Sequence, residues 1–397
     1  MTKVTKMREV AIIGVGDTKF GELWDKSFRE LGIEAGLEAL NDAHITGNDI
    51  DAIYIGCSST GRFIDQEHIA PLLVDYSGLS KEHIPAVRVE AAGASGALAL
   101  QQAYFAVASG MYNIVVVGGA EKMTDVDEEK CAKITGCVLD QEWESVFGNT
   151  FAGVHALMAQ RHIYEYGTKR EHLASVAVKN HLHGSMNPKA HFQNKLTIEQ
   201  VLSSSMVAEP LTTLDCAPNS DGAAAIILCP LEYARKFQKE KPLVKITGSA
   251  HATDFMALHN RREITTLDAT VVAGKKALSQ ARKEPKDIQV AEVHDSFTIS
   301  EIMAIEDLRI VPKGQGGFAT YEGLTALNSK ITVNPSGGLK ARGQPLGATG
   351  IAQVVEIVRQ LRGECDKRQV SNATVGLTQS VGGSGSTVIV HVFERVN

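Results

Sequence analysis

Along this chain, short and solidly apolar runs alternate with longer segments in which apolar residues recur every three or four positions. Glu9-Val10-Ala11-Ile12-Ile13-Gly14 and Leu243-Val244-Lys245-Ile246-Thr247-Gly248 read as buried strands. Runs of this length, rich in β-branched residues and closed by glycine, suit a sheet better than a helix. A helical period follows each, Phe28 to Ala43 and Ala269 to Ala281. Each helix gives way to an Asp-Ile pair entering a strand, Asp49-Ile50-Asp51-Ala52-Ile53-Tyr54 and Asp287-Ile288-Gln289-Val290-Ala291-Glu292-Val293. Further on, Gly93-Ala94-Ser95-Gly96 and Gly347-Ala348-Thr349-Gly350 each open a small-residue helix, Ala97 to Ser109 and Ile351 to Leu361. Both helices lead to a strand that ends in a glycine pair, Gly118-Gly119 and Gly382-Gly383. The matched order predicts a duplicated unit. Strands alternating with helices predict an α/β fold of mostly parallel sheets covered by helices.

The segment from Glu121 to about Pro210 has no counterpart in the second half. It is polar and carries turn signals such as His183-Gly184-Ser185-Met186-Asn187-Pro188, which predicts an insertion capping one half. The chain then divides into residues 1–120 plus 210–240, an inserted loop domain at 121–209, and a second half at 241–397.

Composition narrows the function by exclusion. The chain has 397 residues, 44% hydrophobic and 22% charged, ordinary values for a globular protein. A formal charge of -6 and a pI near 6.1 give no electrostatic case for nucleic acid or an anionic membrane. No apolar run approaches the ~20 residues that span a bilayer. The polar start Met1-Thr2-Lys3-Val4-Thr5-Lys6 lacks the apolar centre of a secretory signal. The six cysteines show no Cys-x-x-Cys spacing, which argues against a zinc site or a disulfide framework and fits a cytoplasmic protein. His181, His183 and His191 read as a solvated or hydrogen-bonded loop rather than a metal site. Gly14-Val15-Gly16 and Gly316-Gly317 lack the context of a dinucleotide or phosphate loop.

Chemistry concentrates in two glycine-rich strings, Glu90-Ala91-Ala92-Gly93-Ala94-Ser95-Gly96 and Asn334-Pro335-Ser336-Gly337-Gly338-Leu339-Lys340-Ala341-Arg342-Gly343-Gln344-Pro345-Leu346-Gly347-Ala348-Thr349-Gly350. Both closely resemble active-site motifs of thiolases, which make or break a carbon–carbon bond beside a coenzyme A thioester. Ala120-Glu121-Lys122-Met123-Thr124-Asp125, Lys179-Asn180-His181 and His294-Asp295-Ser296-Phe297-Thr298 extend the resemblance over essentially the whole chain. It is nearest to the archaeal and sterol-carrier-type branches. The resemblance implies the thiolase fold: two duplicated α/β halves in helix and sheet layers, with a loop domain inserted in the first. It implies coenzyme A or an acyl-CoA as substrate, no further cofactor, no metal, and a homodimer built through the first-half sheet. It also implies a possible zinc-ribbon/OB-fold partner protein and a second thiolase-family chain.

Two family residues are missing. A nucleophilic cysteine occupies the position of Gly93 in that family, and an active-site histidine the position of Gln344. Glycine carries no nucleophile, and its bare backbone suits either close packing or a wider substrate pocket. Its N–H, with that of Gly382, matches the family's oxyanion-binding pair. Gln344 cannot accept a proton at neutral pH, although its amide can donate a hydrogen bond. His294 matches the family residue that positions a water or polarises the thioester oxygen. Ser380 stands near the family's second, acid/base cysteine, and serine is a poor acid or base. Cys57, in Ile55-Gly56-Cys57-Ser58, is the best-placed substitute thiol, and Cys216 a weaker one. Three readings follow: an enzyme acting on acyl-CoA at a C–C bond without an acyl-cysteine, a non-catalytic scaffold subunit with a degenerate site in a multi-subunit complex, or an ordinary acetyl-CoA C-acetyltransferase carrying an engineered Cys-to-Gly change.

Overall fold

The computed structural model describes residues 7–396. Its main sheet has ten strands. In chain order these are β1 (Val10–Asp17), β2 (Ala52–Gly56), β3 (Ala86–Val89), β4 (Val115–Glu121), β7 (Gly222–Pro230), β8 (Leu243–Thr253), β9 (Val290–Glu292), β10 (Thr332–Val333), β11 (Val375–Gly382) and β12 (Thr387–Val396). A separate ribbon pairs β5 (Met206–Ala208) with β6 (Leu211–Thr212).

The duplication seen in the sequence reappears as symmetry of the sheet. Outward from its middle, one side runs β1-β7-β4-β2-β3 and the other β8-β12-β11-β9-β10, with matching parallel and antiparallel pairs. A short antiparallel contact, Val10↔Ile246 to Ile12↔Val244, joins the two sides. The sheet is mixed, not mostly parallel as the alternation predicts. In each half the last strand, β7 or β12, inserts antiparallel between its neighbours. For β11 and β12 the cause is local, because the connection is too short for a parallel crossover.

The predicted helices form close to their expected bounds. Helix Phe28–Ala43 starts on a capping box: Ser27 Oγ accepts from the Glu30 N–H at 3.3 Å, and Glu30 Oε2 accepts from the Ser27 N–H at 2.7 Å. The small-residue helices Ser95–Ala108 and Thr349–Arg362 lie together in the interior, sharing one apolar cluster with strands of both halves. Their small residues are what permits this. A Cβ on Gly350 would stand 2.4 Å from the Ala97 nitrogen. Their N-termini therefore lie side by side, each carrying one of the two glycine-rich strings.

Between β4 and β7 lie the helices Glu128–Gly136, Phe151–Tyr166, Arg170–Gly184 and Ile198–Leu202. His181 and His183 are buried in the last turn of Arg170–Gly184, not placed in a loop. The sequence gives no amphipathic signal there, because Lys179, Asn180 and both histidines face the interior and are held by polar partners.

Candidate active site

The first glycine-rich string makes a tight turn into helix Ser95–Ala108. Ser95 Oγ accepts from the Ala91 N–H at 2.9 Å and donates to the Ala92 carbonyl at 2.7 Å. Ala92 takes a φ of 49°, in the left-handed region that disfavours alanine by ~1–2 kcal/mol. Gly93 follows and is buried. A Cβ there would meet the Val381 carbonyl oxygen at 2.9 Å, His294 Cε1 at 3.0 Å and His294 Nε2 at 3.3 Å. Of the alternatives glycine left open, close packing is what the fold uses.

His294 follows β9, and its backbone N–H donates to Gln379 Oε1 at 2.9 Å. The next residue, Asp295, ties this loop to the second glycine-rich string by accepting from the Leu339 and Lys340 N–H groups at 2.7 and 3.2 Å. Asn180 Nδ2 donates to Asp295 at 2.7 Å and to Glu301 at 2.8 Å, and Asn334 Nδ2 donates to Glu301 at 2.7 Å. Three strings far apart in sequence thus form one buried polar platform. Burial, then Glu301, pushes the Asp295 carboxyl up. The second string carries Gln344 over His294, with Nε2 to Nε2 at 3.4 Å. The Gln344 backbone is held by a bridge to Asn219 and by its N–H donating to Ser220 Oγ at 3.3 Å. Burial, then neighbouring His155, depresses His294 to about 3, so its imidazole is neutral at neutral pH. Gly382 ends β11 opposite Thr387, and the Ala91 carbonyl lies 2.4 Å from where its Cβ would be. Gly93, Gly382, His294 and Gln344 are therefore brought together.

A family model described as the N-terminal domain of thiolase matches residues 10–232, and one described as thiolase C-terminal domain-like matches residues 250–395. The chain belongs to the thiolase family. Against an acetyl-CoA acetyltransferase of Methanothermobacter thermautotrophicus, this thiolase-family chain is 55% identical over 98% of its own length and 100% of the relative. It is 33% identical to human sterol carrier protein 2, with 96% of this chain and 71% of that one covered. A solved structure described as "Ltp2-ChsH2(DUF35) aldolase" superposes with a TM-score of 0.84 at 28% identity, covering 97% of this chain and 98% of that one.

The other thiolase-like positions lie elsewhere. Ser380 points into helix Thr349–Arg362, where its hydroxyl donates to Gln353 Oε1 at 2.5 Å. Neighbouring strand residues face opposite ways, and it is Gln379 that turns toward His294. Cys57 is buried, and its thiol bonds Thr60 Oγ1 and lies 3.5 Å from Glu121 Oε1. Burial and the Glu121 charge push that thiol well up, so it supplies no thiolate. Cys216 donates to the Thr212 carbonyl at 3.4 Å and is pushed up to about 12. Sequence reasoning missed Gln379, which sets His294, and His155, whose ring adjoins this loop. Gln379 stands in the string Gln379-Ser380-Val381-Gly382-Gly383, where Ser380 drew notice, and His155 stands in none; only the fold brings them to His294.

Among the described residues no group of three or more His, Cys, Asp or Glu is arranged to hold a metal ion, and no helix is long and apolar enough to cross a membrane.

Proposed function

We propose that this chain acts on an acyl-CoA thioester at the carbon–carbon bond beside the thioester carbonyl, without forming an acyl-cysteine. The observation that carries the reading is the convergence of the Gly93 turn, the Gly382 backbone, His294 and the Gln344 amide at a site with no available thiolate. Hydrogen-bond donors aimed at a carbonyl oxygen stabilise the negative charge it gains as the bond breaks or forms. Cleavage of the retro-aldol type needs such donors and a proton acceptor, but no acyl carrier. A related structure with aldolase in its name, at 28% identity, supports this route over thiolysis. Direct acyl transfer uses the same donors. Two copies are proposed to meet through the first half-sheet, whose outermost strand β3 pairs only with β2 among the described residues. A cytoplasmic setting belongs to the same proposal, with all six cysteines free.

A second reading, a scaffold subunit bound to a zinc-ribbon/OB-fold protein and a catalytic thiolase-family chain, is supported by the two-component name of that same structure. An ordinary acetyl-CoA C-acetyltransferase with an engineered Cys-to-Gly change draws support from the 55% identical relative. Gln344 speaks against it, since one engineered change does not require a second.

The test combines intact-mass measurement after incubation with acetyl-CoA or acetoacetyl-CoA, calorimetry with coenzyme A, and chromatography of 3-hydroxyacyl-CoA consumption. Saturable binding, cleavage and no acyl adduct are expected. An adduct on Cys57 would defeat the non-covalent reading. Absence of binding at millimolar coenzyme A, with or without partner chains, would favour the scaffold.

A further inference from the structure

Two imidazole nitrogens in this region make no hydrogen bond to the described residues, and their characters are opposite. His294 is 3% exposed, and its Nδ1 has no hydrogen-bond partner among the described residues. Its Nε2 faces the Gln344 amide nitrogen at 3.4 Å. An amide N–H only donates, so Nε2 is the acceptor and the ring proton sits on Nδ1. His155, on helix Phe151–Tyr166, is 4% exposed. Its Nδ1 lies 2.9 Å from the Phe151 carbonyl oxygen, which only accepts, so Nδ1 carries the proton and Nε2 the lone pair. Among the described residues Nε2 makes no hydrogen bond, the Phe151 contact being the one His155 side-chain bond.

The His155 ring is fixed in place. It stacks on Phe297 with centroids 4.2 Å apart and planes at 26°, and Phe151 closes on it edge-on at 4.7 Å. Phe297 belongs to the same short loop as His294. Buried polar atoms without partners are rare in folded proteins, and His294 Nδ1 is one of them, whereas His155 Nε2 is unbonded but not fully buried. A ligand that accepts from His294 Nδ1 and gives a proton to His155 Nε2 would satisfy both rings.

We propose that His155 is the proton acceptor of this site, taking the proton from the carbon next to the thioester carbonyl of a bound acyl-CoA. The inference rests on the acyl-CoA reading above. In the step, the C–H bond breaks and an N–H bond forms at His155 Nε2. The electron pair moves into the adjoining C–C bond and onto the carbonyl oxygen, giving an enolate to which the His294 Nδ1–H donates. Acyl transfer and aldol chemistry both pass through this enolate, and no oxidant or further reactant is needed. The charged or titratable groups bearing on His155 are His294 and Arg261. Arg261 is itself occupied, donating to the Ser384 carbonyl at 2.8 Å, Ser384 Oγ at 2.9 Å and the Phe255 carbonyl at 3.1 Å. Burial, then Arg261, holds His155 down to about 4, so its lone pair stays available across neutral pH. An enolate formed beside it favours the imidazolium that results.

Exchange of the C2 protons of acetyl-CoA in D2O, followed by proton NMR alongside calorimetric binding, tests the assignment. His155→Phe keeps a ring to stack on Phe297 and removes the nitrogen. This variant is expected to bind acetyl-CoA like the wild type but to exchange at least ~100-fold more slowly, the usual contribution of a general base. Wild-type exchange should stay level from about pH 8 to about pH 5, because the acceptor remains neutral throughout. Exchange by His155→Phe at the wild-type rate would overturn the assignment and leave the acyl-CoA reading standing. A wild-type protein that binds acetyl-CoA and exchanges nothing overturns the assignment as well. One that does not bind overturns both. If the melting curve of His155→Phe shows misfolding, His155→Gln is read by the same criteria.

Discussion

Gly93 shows how little room the site leaves at the scale of one residue. A Cβ added there would stand 2.9 Å from a backbone oxygen, that of Val381, and 3.0 Å from the His294 ring. Gly93→Cys is therefore not a simple restoration. Overpacking of this kind costs ~1–3 kcal/mol, and urea unfolding is expected to report a loss in that range. The new thiol would face Gln344, which takes no proton, and His294, whose Nε2 already accepts from that amide, so acetoacetyl-CoA thiolysis should stay at background. Adding Gln344→His supplies the base, and groups acting as a unit are strongly non-additive, so any gain should appear only in the double variant. A single variant as stable as wild type would refute the close-packing account. Gly93 and Gln344 drew notice in the sequence because each sits inside a glycine-rich string. Gln379 and His155 did not, because their roles come from contacts across the fold.

At the scale of elements, Glu121 at the end of β4 holds three segments in register. Its carboxylate accepts from the Ser58 and Ser59 N–H groups at 2.8 and 3.1 Å, from Thr60 Oγ1 at 3.0 Å and from the Gly347 N–H at 3.0 Å. The loop after β2 and the second glycine-rich string are thus fastened to one buried side chain. Glu121→Ala would leave these donors without an acceptor, at ~1–3 kcal/mol for each buried one. A thermal melt should show a large loss of stability, and calorimetry weaker acetyl-CoA binding, because the string that carries Gln344 is loosened. Unchanged binding would show that Gly347 does not depend on this anchor. The elements themselves were legible wherever apolar period and turn residues agreed, as in Phe28–Ala43. They were misread where polar residues are buried, as at His181 and His183. A helix wrapped on several sides has no polar face to reveal it.

For the whole molecule, buried imidazoles set the response to acid. His155, His181, His183 and His391 are lowered to about 4 and His294 to about 3, in each case chiefly by burial. An unfolded histidine titrates near ~6.5. Below that pH the unfolded chain binds more protons than the folded one, so acidification favours unfolding. Their contribution is at its full value above about 6.5 and falls as the pH drops toward about 4. Asp295, Glu292, Asp307 and Glu121 act in the opposite direction, because burial raises their carboxyls. They are fewer, so the net expectation is a melting temperature that falls steadily from pH 6.5 to pH 4. A flat profile would show that these rings are solvated in the folded state. By itself the sequence determined the family and the duplicated order of strands and helices, and it pointed to Gly93 and Gln344 as the positions to watch. Those are written in local period and in motifs, which survive reading one residue at a time. Only the tertiary structure decided that the sheet is mixed, that Cys57 is a buried thiol held by Glu121, that Ser380 turns to Gln353, and that His155 lies against the His294 loop. Each of these depends on which face a side chain presents and on partners remote in sequence, quantities that exist only once the chain has closed on itself.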